Sequence, residues 1–358
     1  MNSRATLQHL FAQRTIRVAS LPVDMDLNPE RPSMDRVRGI LMGLAIGDAL
    51  GNTTESLNPT DRRRSHGEIR DYLPNSCAGG ERVGMPSDDT QLASWLLESL
   101  LAHRGLDVAD VAKRFATRRI FGMGFTMRGF LRDYHSGKDL WACGQRSAGN
   151  GALMRVAAVP VFHLPRSPAA VLDDALLSSA LTHNDPTSNA SCVAFSAMLC
   201  ELVHMTVPPP SDWWITRFVG LARPIEGGVR LRSQVPGCIF SGSLCQFLET
   251  VVLPALRGEV PLPEALDAWY SGAFLLETVP AALYILARHA EDPETALVRA
   301  VNETQDNDTV AAIVGAAVGA LHGEQALPAR WRQGLTGCTQ ADDDGRLFEL
   351  IGQAVKPG

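Results

Sequence analysis

The sequence lacks the features of disulfide-stapled, zinc-thiolate and membrane-spanning proteins. Its seven cysteines are odd in number, are scattered from Cys77 to Cys338 and form no CxxC pair, so neither a disulfide framework nor a zinc site is indicated. The longest apolar run, residues 310–321, falls short of the roughly 20 residues that cross a bilayer. We therefore expect a cytoplasmic protein with no membrane partner.

An excess of positive charge is also missing. The chain has 33 Lys and Arg against 39 Asp and Glu, for a formal net charge of -6. This balance gives no general attraction to polyphosphate, so no nucleic-acid partner is expected. Because 45% of the 358 residues are hydrophobic, the chain can bury a sizeable core.

The N-terminus contains neither a long apolar stretch nor an acidic residue in its first twenty positions, which makes it unlike a secretory signal. We interpret residues 1–33 as an extension in front of a domain at residues 34–358. The expectation is a partly disordered arm, with a short amphipathic helix built on Leu7, Leu10 and Phe11 as the alternative.

Beyond the extension, apolar residues recur at helical spacing in one segment after another, whereas strand-like alternation is scarce. Aromatic residues make up only 6% of the chain, and Gly and Pro fall mostly between these segments. The pattern predicts an all-α fold, a single compact domain of orthogonally packed helices. The segments are marked by Val37, Leu41 and Leu44; Leu92, Leu96 and Leu100; Val193, Met198 and Leu202; and Ile313, Val318 and Leu321.

Two acidic tetrapeptides stand directly before apolar helical segments. Residues 87–90 read SDDT ahead of the helix predicted at 91–101, and residues 306–309 read DNDT ahead of the helix predicted at 310–321. Either one alone is adequately explained as a helix N-cap. Two of them change the interpretation, because opposed helix N-termini would gather four carboxylates and two hydroxyls, which are oxygen ligands suited to Mg²⁺ or Mn²⁺.

Three further segments have weaker patterns. Residues 43–51 read GLAIGDALG, a glycine-spaced helix that ends near Asp48 and Glu55 and is by itself most typical of close helix packing. Residues 147–155 read SAGNGALMR, a polar turn whose backbone could hold phosphate oxygens but which is not a P-loop. His183 follows a predicted helix and is by itself most simply a structural residue.

Taken in this order, the five segments resemble the ADP-ribosylglycohydrolase family, whose bacterial members reverse arginine ADP-ribosylation. The resemblance runs from residues 36–51 to residues 327–331 and leaves out only the N-terminal extension. It implies an all-α fold, hydrolysis of ADP-ribose from an acceptor, and two Mg²⁺ or Mn²⁺ ions.

The resemblance also assigns roles residue by residue. The residues that match the metal ligands of the family are Ser87, Asp88, Asp89, Asp306, Asp308 and Thr309. Those that match the lining of the ADP-ribose cleft are Ser147, Asn150, Gly151 and His183. Asn307 and the stretch 184–186 depart from common family patterns, which leaves the acceptor contacts open.

Glu55 matches a family glutamate near the substrate ribose, so Glu55 and Asp306 are both candidates for the catalytic base. In the expected mechanism the ions hold the ribose hydroxyls and activate a water, while the base deprotonates it as the C1″–N or C1″–O bond breaks. The sequence does not choose between the two carboxylates.

The motif at residues 149–155 favours mono-ADP-ribosylated arginine as the acceptor; serine, O-acetyl-ADP-ribose and poly-ADP-ribose are the alternatives. A different class of function is an immunity or regulatory protein that binds an ADP-ribosyltransferase toxin through residues 1–33, with or without hydrolysis. A third hypothesis, a family member without activity, is disfavoured because all four carboxylates of the two tetrapeptides are present.

Overall fold

The computed structural model describes residues 2–23, 28, 30–235, 238–340 and 344–356. Helices account for most of this part of the chain, and the only strands in it are Leu231–Arg232 (β1) and Ser241–Gly242 (β2), which pair antiparallel. The prediction of a single all-α domain is confirmed. The helices are α1 Ser3–Ala12, α2 Met34–Gly51, α3 Pro59–His66, α4 Asp88–His103, α5 Val108–Thr117, α6 Phe125–His135, α7 Ala158–His163, α8 Val171–Thr182, α9 Pro186–Leu202, α10 Trp213–Glu226, α11 Leu244–Phe247, α12 Leu253–Arg257, α13 Leu262–Trp269, α14 Leu275–His289, α15 Pro293–Glu303, α16 Asn307–His322, α17 Ala329–Gly334 and α18 Arg346–Ala354.

The centre of the molecule is the pair of helices α2 and α16, which pack along their whole lengths. Both helices are buried all round, so their sequences show little amphipathic contrast. Glycines face each other across the contact: a Cβ added to Gly43 would lie 2.0 Å from the carbonyl oxygen of Gly315, and one added to Gly315 would lie 2.0 Å from that of Gly43. The backbones can approach this closely only because neither position carries a side chain.

This contact continues to the end of α2. A Cβ on Gly51 would lie 2.5 Å from the Cα of Asp308, at the first turn of α16. The C-terminal end of α2 therefore meets the N-terminal end of α16, and the antiparallel pair brings Asp48 next to the DNDT segment. The two predicted helices after the acidic tetrapeptides begin earlier than expected, since α4 starts at Asp88 and α16 at Asn307.

The described part of the N-terminal extension packs against the body, which differs from the expected partly disordered arm. Helix α1 contacts α8 and buries Leu7 and Leu10, and Ile16 also joins the core. Apolar burial on one face of α1 is the physical reason for its order. The first part of the extension is thus a structural element, whereas residues 24–27 and 29 lie outside the described residues.

No helix in the described ranges is long and apolar enough to span a membrane. The seven cysteines all lie in the described ranges and form no disulfide with one another. A cytoplasmic location stays a prediction.

We expect Gly43→Ala to lower the free energy of unfolding by about 3 kcal/mol, because the new methyl group would force α2 and α16 apart. The measurement is equilibrium unfolding in urea. The matched control is Gly220→Ala in α10, where an added Cβ meets no atom within 4 Å.

The control should leave stability unchanged or raise it by up to roughly 1 kcal/mol, as expected for replacing a helical glycine. Equal stability of the two variants would contradict the close-packing argument.

Candidate metal centre and substrate cleft

Three helix ends converge on one cluster of carboxylates. Asp48 lies near the C-terminal end of α2, Asp88 and Asp89 form the first turn of α4, and Asp306 and Asp308 begin α16. Glu55 comes after the short helical turn that follows α2. The structure thus brings the two acidic tetrapeptides together, as the sequence predicted, and adds Asp48 from the glycine-spaced helix and Glu55 from the segment that follows it.

Asp48 is completely buried and accepts most of its hydrogen bonds from the start of α4. Its carboxylate receives the backbone N–H groups of Ser87 and Thr90, at 2.9 and 3.1 Å, and both of their hydroxyls, at 2.5 Å. Asn52 donates a further hydrogen bond of 3.0 Å from Nδ2. Asp48 therefore provides the cap for α4 that the sequence had suggested for the tetrapeptide at residues 87–90, and the side chain of Ser87 makes no capping bond.

Two groups of carboxylate oxygens lie close enough to share a cation, and they have one residue in common. Oxygens of Asp48, Asp89 and Asp308 all lie within 4.8 Å of one another, and so do oxygens of Glu55, Asp306 and Asp308. The hydroxyl of Thr309 lies 3.4 Å from Oδ2 of Asp89, which ties α16 to α4. Asp308 stands between the two groups.

The electrostatics of this cluster oppose its full ionisation. Burial, followed by repulsion from Asp308, raises the pKa of Asp89 well above its usual value, and burial followed by repulsion from Asp306 does the same for the pKa of Asp308. Loss of solvent, followed by repulsion from Asp306 and Asp48, raises the pKa of Glu55 to about 7. Protons or cations must balance the negative charge gathered here.

The ligand set suits a hard divalent cation. Oδ1 of Asp89 is buried and has no hydrogen-bond partner among the residues that the structure describes, a costly state for a carboxylate that a cation would relieve. Ser87 donates its hydroxyl hydrogen to Asp48, so its lone pairs stay available for a ligand bond. No sulfur or imidazole belongs to either oxygen group in the described part of the chain, which favours Mg²⁺ or Mn²⁺ over zinc.

Asn150 links the metal cluster to the polar turn at residues 147–155. Its Nδ2 donates to Oδ2 of Asp306 at 2.5 Å and to the hydroxyl of Thr278 at 3.0 Å, while its backbone N–H donates to the carbonyl oxygen of Ala273. Asn150 is buried, so this side chain has one orientation available to it. The amide of Asn150 therefore fixes the position of the Asp306 carboxylate.

A cleft of about 210 Å³ opens directly onto the carboxylate cluster. Besides the carboxylates, the cleft is lined by the glycine turn at Gly149 and Gly151, by His183 and by the loop before α6. Ser147 lies behind this turn, where its hydroxyl is 2.7 Å from that of Thr126 and accepts the N–H of Gly149 at 3.2 Å. We call the part of the cleft lined by Asp88, Asp89, Asp306 and Asp308 its metal end, and the part lined by Gly149, Gly151 and His183 its glycine end.

The comparisons with known proteins agree with this geometry. The model of the family described as ADP-ribosylglycohydrolase matches residues 29–356. The chain belongs to the ADP-ribosylglycohydrolase family. Members of this family are metal-dependent hydrolases that remove ADP-ribose from modified targets.

Several relatives of this family member cover most of both chains. The ADP-ribosyl-[dinitrogen reductase] glycohydrolase of Rhodospirillum rubrum is 27% identical over 83% of this chain and 89% of its own length. The ADP-ribosylarginine hydrolase Tri1 of Serratia proteamaculans is 27% identical over 85% of this chain and 76% of its own length. A solved structure, an ADP-ribosylglycohydrolase-related protein complex, matches with a TM-score of 0.66 and 27% identity over 90% of this chain and 96% of its own.

The site includes residues that sequence reasoning did not place in it. From the sequence, Asp48 was noted only as lying near a helix end. The regular glycine spacing of α2 could have indicated that Asp48 is buried against the backbone of another helix. Gly122 and Phe125 line the cleft as well. A Cβ on Gly122 would lie 2.9 Å from Oδ1 of Asp88, so this glycine leaves room for the carboxylate, and no sequence pattern indicated that.

The raised carboxyl pKa values predict how stability depends on pH in metal-free protein. These carboxyl groups keep their protons in the folded state at pH values where the unfolded chain, with carboxyl pKa values near 4, has released them. Their contribution to stability is therefore complete below about pH 4 and is lost as the pH rises toward the raised pKa values of the folded state. Relative to Asp308→Asn, the wild-type protein in EDTA should therefore lose thermal stability as the pH is raised from about 5 to about 8, because this interval lies above the usual carboxyl pKa of about 4.

Mg²⁺ should raise the melting temperature of the wild-type protein more at the upper pH, where it competes with fewer protons, and should raise that of Asp308→Asn less. Contributions from the histidines cancel in the comparison because both proteins carry them. A melting-temperature difference that does not change with pH, or no response to Mg²⁺, would contradict a strained carboxylate cluster.

Proposed function

We propose that this protein hydrolyses the glycosidic bond between ADP-ribose and a modified arginine side chain, using two Mg²⁺ or Mn²⁺ ions. The observation that supports this most directly is the pair of carboxylate groups that share Asp308 and open onto a cleft. The proposed metal ligands are Ser87, Asp88, Asp89, Asp306, Asp308 and Thr309.

Divalent ions, when bound at these ligands, supply Lewis acidity and lower the pKa of a nearby water. The protein's own contribution is to hold the ligands in place before substrate arrives. Asp48 supports Ser87 from behind by accepting its hydroxyl hydrogen, and Asn150 supports Asp306 in the same way by donating to it. Both supports are buried.

Glu55 is the residue that we assign as the catalytic base. Asp306 and Glu55 belong to the same group of oxygens, but Asp306 accepts a hydrogen bond from Asn150, whereas no hydrogen bond is found for the carboxyl of Glu55 in the described structure. Glu55 lines the cleft, and loss of solvent, followed by repulsion from Asp306 and Asp48, raises its pKa to about 7 in the metal-free protein, which makes it a more basic carboxylate than usual. It can therefore take a proton from a water at the metal end of the cleft.

The glycine end of the cleft is the proposed binding site for the rest of ADP-ribose. Gly151 and His183 line it directly, Asn150 joins it to the metal end, and Ser147 stabilises the turn through Gly149. Because Gly149 and Gly151 carry no side chains, phosphate oxygens could approach the backbone of this turn closely. The reacting ribose would then face the carboxylates.

Arginine as the acceptor is supported by the motif at residues 149–155 and by the Serratia relative, which is named an ADP-ribosylarginine hydrolase. The other relative is named for its protein target, dinitrogen reductase, and its name specifies no acceptor residue. Serine-linked ADP-ribose and O-acetyl-ADP-ribose are the alternative substrates.

Binding of an ADP-ribosyltransferase toxin through the N-terminal extension is a second proposed role. It is favoured by one observation, that residues 2–23 lie outside the family match at residues 29–356 and yet form a defined surface element. The side of α1 that points away from the body exposes Ala5, Gln8 and His9, while Leu7 and Leu10 are used for packing. Only this outward face is free for a partner.

The experiment that tests the main proposal is release of ADP-ribose from mono-ADP-ribosylated arginine and serine peptides, assayed in parallel with Mg²⁺, Mn²⁺ or EDTA. We expect metal-dependent release from the arginine peptide only. Release from the serine peptide would show that the substrate is serine-linked ADP-ribose, the alternative named above. No release from either peptide by metal-loaded protein would overturn hydrolysis and make partner binding the leading proposal, testable by toxin capture with and without residues 1–20.

We expect Glu55→Gln to lower kcat by roughly 10² to 10⁴-fold, the usual contribution of a general base, while the affinity for ADP-ribose changes little. The measurements are turnover of the arginine peptide and calorimetric binding of ADP-ribose. Glu81→Gln is the matched control, because Glu81 is exposed and does not line the cleft.

The control should keep wild-type turnover. Full activity in Glu55→Gln would instead assign proton transfer to Asp306, the other candidate.

A further inference from the structure

Arg155 is a buried cation without an acidic partner in the described structure. The residue is completely buried, and its guanidinium lies 5.4 Å from the ring centroid of Phe115. Burial lowers the pKa of Arg155 to about 10, so it remains charged at neutral pH. Its Nε is buried without a hydrogen-bond partner among the described residues, so the groups that accept from Nη1 and Nη2 are the ones that compensate the buried charge.

Arg155 joins the glycine turn to the end of α8. Its Nη1 donates to the carbonyl oxygen of Gly151, and its Nη2 donates to the carbonyl oxygen of Ser178 at 3.1 Å and to the hydroxyl of Thr182 at 2.6 Å. The hydroxyl of Thr182 in turn lies 2.8 Å from Nδ1 of His183. These contacts form a continuous chain from Arg155 through Thr182 to His183.

The direction of the hydrogen bonds in this chain follows from the donors and acceptors that are present. An arginine side chain can only donate, so the hydroxyl of Thr182 accepts from it. For the one hydrogen of that hydroxyl, no acceptor other than Nδ1 of His183 is found among the described residues, so the arrangement that leaves no buried hydrogen unpaired has Nδ1 as the acceptor. A neutral imidazole that accepts at Nδ1 carries its own hydrogen at Nε2.

The imidazole of His183 is held neutral and faces the cleft. Burial, followed by repulsion from Arg155, lowers the pKa of His183 well below its usual value. A Cβ on Gly151 would lie 3.1 Å from Nε2, and no protein partner for Nε2 is found among the described residues. The same Cβ position is 3.1 Å from Cε1, and a Cβ on Gly149 would lie 3.8 Å from Nε2, so Nε2 is the ring nitrogen next to the glycine turn.

We infer that Arg155 and Thr182 are positioning residues that fix His183 as its Nε2–H tautomer, so that the cleft presents a neutral hydrogen-bond donor there. The matching ligand group is an acceptor oxygen without a proton, such as a phosphate or ring oxygen. Its identification with an oxygen of ADP-ribose rests on the proposed function, whereas the tautomer itself does not.

The test is a long-range ¹H–¹⁵N correlation spectrum of histidine-labelled protein without substrate, in which the two neutral tautomers have different ¹⁵N shifts. The signals of His183, among nine histidines, are assigned by their loss in His183→Asn. The wild-type protein should show the Nε2–H form of His183. The Nδ1–H form, or a mixture, would overturn the inference without any variant being needed.

Thr182→Val removes the hydroxyl and keeps the shape of the side chain, so His183 should shift toward a mixture of tautomers. The Michaelis constant for the arginine peptide should then rise about tenfold, the usual effect of one lost hydrogen bond. Thr182→Ser should restore the wild-type spectrum and Michaelis constant. Thr187→Val is the matched control, because Thr187 is equally buried but bonds to Glu226 instead.

An unchanged His183 spectrum in Thr182→Val, or the same spectral change in Thr187→Val, would overturn the assignment. If the tautomer behaves as expected but ADP-ribose does not bind, only the proposed function fails.

Discussion

The close contact of two buried helices is the constraint on which the rest of this structure depends. Because Gly43 and Gly315 carry no side chains, α2 and α16 pack backbone to backbone, and Gly51 reaches the Cα of Asp308. The contact brings Asp48 of one helix next to Asp308 of the other. Side chains at these glycines would separate the helices by ångströms. The carboxylates that the two helices carry would then lie too far apart to coordinate one cation together.

Bringing these carboxylates together carries an electrostatic cost. Asp89 and Asp308 are buried beside like charges, and their raised pKa values express that cost. The apolar burial of α2, α4 and α16 supplies the compensating stability, since nearly every residue of these helices belongs to the core. Repulsion among these carboxylates favours binding of a cation, because a bound cation would remove the repulsion. The electrostatic cost of bringing them together is therefore useful for function.

The other wall of the cleft depends on polar contacts that are made behind it. Asn150 holds Asp306, and Arg155 holds both Gly151 and Thr182, so the Asp306 carboxylate and the glycine turn are each held by a buried side chain. The N-terminal extension adds to this wall, because Asn184, the residue after His183, donates to the carbonyl oxygen of Thr15 and accepts the N–H of Arg17. An element outside the family match thus braces the turn that carries His183.

The sequence by itself determined the fold class, the family and the gathering of the SDDT and DNDT segments, because helical periodicity, caps and motif order are local properties of a chain. It did not determine that Asp48 caps α4, that Leu7 and Leu10 pack α1 onto α8, or which nitrogen of His183 bears the hydrogen. Each of these depends on groups far apart in sequence, such as Asp48 with Ser87 or Arg155 with Thr182, and their direction and distance exist only once the helices have packed. Local pattern predicts which residues are polar and helical, whereas only the tertiary structure decides which of them share a proton or a cation.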